Sequence, residues 1–97
     1  MYDYKSEIDT RLIIPKMSKV IMLNDDYTTQ DFVIAILKDV FGKNTNEATS
    51  IMLEIHNNGR GICGIYTYDI AQTKANIAIQ KSREAGFPLR IIIEEEE

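Results

Sequence analysis

Four consecutive apolar residues, Val20-Ile21-Met22-Leu23, run straight into Asn24-Asp25-Asp26-Tyr27-Thr28. A short apolar run that ends in turn-forming residues reads as a strand, here Lys19 to Leu23, buried on both faces. Such a strand must be covered by other parts of the chain, so it dictates what the remaining residues have to supply. With 97 residues there is room for one core and no more.

The cover is written as helical periodicity. Thr28-x-x-Asp31 resembles a capping box with Asp in place of the usual Glu. Phe32, Val33, Ile36, Leu37, Val40 and Phe41 then form a broad stripe of period 3.6, stopped at Gly42. A second helix starts at Asn44 or Thr45, with Glu47 able to reach back to Asn44. Ala48, Ile51, Met52 and Ile55 share one of its faces. Asn57-Asn58-Gly59-Arg60-Gly61 signals a turn, and Ile62 to Tyr66 reads as a second strand. Thr67 or Asp69 caps a third helix that carries Ile70, Ala71, Ala75, Ile77 and Ala78 and closes near Gly86; Pro88 bars its continuation. Leu89 to Ile93 is a third strand, and Glu94 to Glu97 a solvated acidic end.

The order β-α-α-β-α-β predicts an α+β two-layer sandwich, with three helices on one face of a three-stranded antiparallel sheet. Residues 1–16 carry Ile8, Leu12, Ile13 and Ile14 without a clean period and end near Pro15. They read as a flexible extension, with a docked strand as the alternative, ahead of a core domain over residues 17–97.

A net charge of -4 argues against an electrostatic grip on nucleic acid, which needs clustered Lys and Arg. A single cysteine, Cys63, excludes an internal disulfide and, inside Gly61-Ile62-Cys63-Gly64-Ile65, reads as a packing residue. No apolar stretch approaches the ~20 residues of a membrane span, and no signal peptide opens the chain. The expected location is the cytoplasm.

Asn24, Asp25 and Asp26 are the richest candidates for chemistry. Asn-Asp clusters are ordinary turn formers and helix caps. Two carboxylates and a carboxamide oxygen can equally accept the N–H groups of an ammonium ion. His56, near the end of the second helix, is either a surface residue or a partner in the same site. Met52 and Ile55 lie within one helical turn of it, where an adaptable thioether suits varied apolar side chains. Asp25, Asp26 and His56 also suggest a metal or hydrolytic centre, but no second histidine, cysteine cluster, phosphate loop or nucleophile elbow accompanies them. No cofactor or metal is called for, and no enzyme is expected.

Val20-Ile21-Met22-Leu23-Asn24-Asp25-Asp26-Tyr27-Thr28 with Phe32-Val33, then Ala48-Thr49, Met52-Leu53, Ile55-His56, Gly59, Ile62-Cys63-Gly64, Ala71-Gln72-Thr73-Lys74 and Pro88-Leu89, closely resembles the ClpS family. ClpS proteins are adaptors of the bacterial Clp ATP-dependent protease. The resemblance implies a non-enzymatic adaptor for N-degrons, proteins that begin with Leu, Phe, Tyr or Trp. Delivery would be to a Clp unfoldase, ClpA-type or ClpC, for degradation by ClpP. It also implies a fold like the C-terminal domain of ribosomal protein L7/L12 and a domain that acts as a monomer. Carried over by position, Asn24, Asp25, Asp26 and His56 surround the free α-amino group. Thr28, Gln30, Val33, Met52, Ile55 and Leu89 form the hydrophobic pocket, while Asp69 and Lys74 dock on the unfoldase N-domain. Gln30 stands where many members have Met and Thr29 where Pro is common, so the ranking of first residues is left open. The extension over residues 1–16 matches a tail used in substrate handover.

Overall fold

Three strands pair in the order β2-β1-β3, all antiparallel, in a computed structural model that describes residues 16–96. The extension expected before Met17 lies, except for Lys16, outside the described residues. The elements are β1 (Met17–Leu23), α1 (Gln30–Asp39), α2 (Thr45–Asn58), β2 (Arg60–Thr67), α3 (Tyr68–Glu84) and β3 (Arg90–Glu95). The predicted β-α-α-β-α-β order and antiparallel sheet are therefore observed.

The central position of β1 explains its apolar run. Val20 and Met22 face the helices and are fully buried. Ile21 faces the opposite way, yet is only 2 % exposed. Its cross-strand neighbours are Ile62 on β2 and Ile92 on β3. Arg60 on β2 and Glu94 on β3 also meet at 2.9 Å, so this ion pair spans the central strand. Opposite β1, Val20 pairs with Gly64 and Ile21 with Ile62, which leaves Cys63 as the extra residue of a β-bulge. Its side chain is turned into the core and fully buried.

Several boundaries differ from the sequence reading. Thr29, not Thr28, caps α1: its hydroxyl accepts from the Phe32 N–H at 3.1 Å. Thr28 is unavailable because its hydroxyl is committed to Asp25. The apolar stripe outlasts the helix, so Val40 and Phe41 are buried beyond its last turn, before Gly42 turns the chain at φ +68°. At α2 the expected capping box forms, with Asn44 and Glu47 exchanging hydrogen bonds of 2.9 and 2.8 Å. Asn57 and Asn58 belong to that helix, which stops at Gly59 in the left-handed region (φ +91°), and β2 begins directly at Arg60.

The third helix departs most from expectation. Ala71, Ala75, Ala78 and Ser82 form its buried face, whereas Ile70 and Ile77 are 48 % and 42 % exposed. The 4-3-4 spacing of the small residues selects one helix face, and each isoleucine is a single residue, about 100° of turn, away from it. The acidic end is likewise more ordered than a solvated tail. Glu94 and Glu95 lie within β3, opposite Lys19 and Ser18.

Candidate functional site

The loop between β1 and α1 is built around one carboxylate. Asp25 Oδ1 accepts the backbone N–H groups of Tyr27 and Thr28 at 2.8 and 2.7 Å, and Oδ2 accepts the Thr28 hydroxyl at 2.7 Å. Burial opposes ionisation of Asp25, but the Thr28 N–H and hydroxyl, the Tyr27 N–H and the nearby Arg90 cation outweigh it. The carboxyl is held below its ordinary value. A carboxylate offers about four acceptor positions. The loop uses three of them, so roughly one remains for a ligand.

The second half of the site comes from α2. The Asn24 N–H donates to the Gly59 carbonyl at 2.9 Å. That bond ties the end of β1 to the turn that closes α2, and so brings His56 to the Asp25 loop. Both flank a cavity of about 370 Å³, within the size range of small-ligand pockets. Asn24, Asp25, Asp26 and His56 line its polar side; Thr28, Gln30, Val33, Met52 and Ile55 line the rest. Val33, Met52 and Ile55 are core residues that keep only a sliver of exposed surface, and they form an apolar floor.

All but one of the residues assigned to the amine and side-chain sites therefore converge on one cavity. The exception is Leu89, which is 1 % exposed within the core cluster shared with Val33, Met52 and Ile55. It is not among the cavity-lining residues. Tyr27 and Thr29 also line the cavity. The sequence assigns neither to the amine or side-chain site, although Thr29 bears on the ranking of first residues and both complete the loop formed by Asn24, Asp25, Asp26 and Thr28.

The electrostatics favour a cation on the polar side. Neither Asp25 nor Asp26 has an ion-pair partner within 4 Å among the described residues. The C-terminal end of α2, at His56, carries the negative pole of its helix dipole. The N-terminus of α1 contributes the opposite sign, which the two carboxylates offset. No group of three His, Cys, Asp or Glu side chains among the described residues is arranged to hold a metal ion.

Asp69 and Lys74 lie on α3, apart from the cavity. Asp69 is exposed in the first turn. Lys74 Nζ donates to the Val40 carbonyl at 2.9 Å and sits 5.4 Å from the centre of the Tyr66 ring. The lysine thus also caps the C-terminal end of α1, where a cation is favoured. Among the described residues no helix is long and apolar enough to cross a membrane.

Comparison with known proteins agrees with this architecture. The family model for the ATP-dependent Clp protease adaptor protein ClpS matches residues 14–92. The ATP-dependent Clp protease adapter protein ClpS of Wolinella succinogenes is 52% identical over 95 residues, covering 96% of this chain and 93% of its own. The Helicobacter hepaticus protein of the same name is 53% identical over 92 residues, covering 95% and 93%. Among solved structures, Agrobacterium tumefaciens ClpS2 bound to L-phenylalaninamide superposes with a TM-score of 0.83 at 41% identity, covering 86% of this chain and all of that one. With its fold, its loop and its sequence in agreement, the chain belongs to the ClpS family of Clp protease adaptors, which are not themselves enzymes.

Proposed function

We propose that this adaptor captures proteins through a large hydrophobic first residue, Leu, Phe, Tyr or Trp, and passes them to a Clp unfoldase of the ClpA type, with ClpC as the alternative. The observation that carries this reading is the cavity itself, in which unpaired carboxylates stand beside an apolar floor. Such a site suits a ligand with a cationic amine and a bulky side chain on the same carbon. L-phenylalaninamide, the ligand of the Agrobacterium tumefaciens ClpS2 structure, has that chemistry.

In this reading Asp26, the free acceptor position of Asp25 and the Asn24 carboxamide accept from the ammonium group, and a ring nitrogen of His56 supplies a further lone pair. The first side chain rests on Val33, Met52 and Ile55, with Thr28 and Gln30 at the rim. Burying a Leu or Phe side chain contributes about 1.5–3 kcal/mol, and each hydrogen bond to a charged group about 1.5–3 kcal/mol. Lost ligand freedom opposes them by several kcal/mol. The balance is an affinity on the order of micromolar, suited to a carrier that must release its cargo. Asp69 and the α3 surface around Lys74 face the unfoldase N-domain.

Fluorescence anisotropy with peptides that differ only in their first residue tests this directly. Leu, Phe, Tyr and Trp are expected to bind at least tenfold tighter than Gly or Asp, and equal affinities would refute the pocket assignment. His56→Ala should also weaken peptide binding, because the amine loses one acceptor. Unchanged affinity in that variant removes His56 from the site. Asp69→Lys should impair unfoldase binding without altering peptide affinity.

A further inference from the structure

A second depression adjoins the cavity. Tyr27, Arg83, Gly86, Phe87 and Pro88 line an open groove of about 550 Å³, and Tyr27 is the residue shared with the candidate site. Its side chain stands out into solvent, 74 % exposed, so it divides two depressions rather than filling either.

The far side of the groove is a segment without helix or strand that is nonetheless firmly held. Arg83 Nη1 donates to the carbonyls of Phe87 and Leu89, each at 3.0 Å. The Ser82 hydroxyl donates to the Phe87 carbonyl at 2.9 Å and accepts the Leu89 N–H at 3.3 Å. The Phe87 N–H donates to the Ser82 carbonyl at 2.9 Å. The Phe87 ring packs on Phe32 of α1, with centroids 4.9 Å apart. A surface fixed in advance loses little freedom on binding. One guanidinium nitrogen is occupied by these bonds, which leaves other N–H groups of the Arg83 fork for a peptide carbonyl.

We infer that this groove is a second subsite for the same polypeptide, one that takes a side chain from the second to fourth residue of the cargo. The inference rests on the proposed reading of the cavity as the site for the first residue. A chain whose amine is held at Asp25, Asp26 and His56 has to leave over the rim. Extended residues advance about 3.3–3.6 Å each, and one tyrosine ring separates the two depressions, so two or three residues reach across it. Tyr27, Phe87 and Pro88 suit an apolar or aromatic side chain, with the Tyr27 ring as its stacking partner.

The test uses L-phenylalaninamide and four tetrapeptide amides: Phe followed by three glycines, and the same sequence with one tyrosine at position two, three or four. Affinities and backbone amide shifts are measured on the full chain. At least one tyrosine placement should tighten binding about three- to tenfold over the all-glycine peptide and shift the amides of Gly86 and Phe87. Tyr27→Ala should bring all four tetrapeptides within twofold of one another. L-phenylalaninamide should shift Asp25, Thr28 and His56 alone. If those three shift with every ligand while the tetrapeptides bind equally and Gly86 and Phe87 stay still, the second subsite is wrong and the first stands. If no ligand shifts Asp25, Thr28 or His56, the first reading falls and this inference with it.

Discussion

Asp25 and Asp26 are neighbours in sequence but differ in what surrounds them. Asp25 accepts three hydrogen bonds from its own loop; Asp26 is exposed and accepts none from the described residues. Asp25→Ala should therefore weaken ligand binding and also cost about 1 kcal/mol of stability, the usual loss for a cap-like side chain. Asp26→Ala should weaken binding with the melting temperature unchanged. Thermal unfolding beside peptide titration separates the two, and equal melting temperatures for both variants would contradict the loop role of Asp25. Because the folded Asp25 carboxyl titrates below its ordinary value, the stability it adds is present above about pH 4 and is lost as pH falls through the lowered value. Cys63 is governed by burial instead, which pushes its thiol up to about 12. At pH 8 it should resist alkylation in the native protein and react fully in denaturant; rapid native labelling would show that the bulge opens. The sequence reading of Cys63 as a packing residue agrees with its full burial.

Strand β2 and helix α2 meet where a glycine is required. A methyl group on Gly61 would lie 2.7 Å from Ile55 Cγ1 and 3.4 Å from the Ile51 carbonyl oxygen. Gly61→Ala must push Ile55, part of the cavity floor, or the whole helix. Overpacking of this kind costs about 1–3 kcal/mol, so the variant should lose stability in denaturant titration and bind Phe-first peptides more weakly. Wild-type affinity in a destabilised variant would mean that the floor does not contact the ligand. The elements themselves are legible in the sequence because β1 is an apolar run closed by turn-forming residues, α2 carries a clear 3.6-residue period, and α2 has a reciprocal cap. What was not legible follows from tertiary competition. Thr28 has the look of a cap, yet Asp25 claims its hydroxyl, a choice made by loop geometry rather than spacing. Ile70 and Ile77 look like core, yet the small residues of α3 give a closer fit to the sheet and leave them in solvent.

Over the whole molecule, two distant pieces of chain line one cavity. The Asp25 loop and the end of α2 are about thirty positions apart in sequence and meet because β1 and β2 pair side by side and the Asn24–Gly59 hydrogen bond closes the corner. The acidic turn was visible in the chain from the outset, but nothing in its spacing indicated that His56 shares its cavity, because that depends on strand register. Leu89, which the family resemblance places in the pocket, lies 1 % exposed in the core cluster that also holds Val33, Met52 and Ile55, a depth that only the packing of the whole domain sets. In the proposed function the cavity reads a charged amine and a side chain together, and N-terminal acetylation isolates the first of these. Titrating a Phe-first peptide in free and acetylated form measures it. Loss of the charge and of two charge-assisted hydrogen bonds predicts an affinity at least about 100-fold weaker for the acetylated peptide. Equal affinity for the two forms would mean that the carboxylates have no part in recognition.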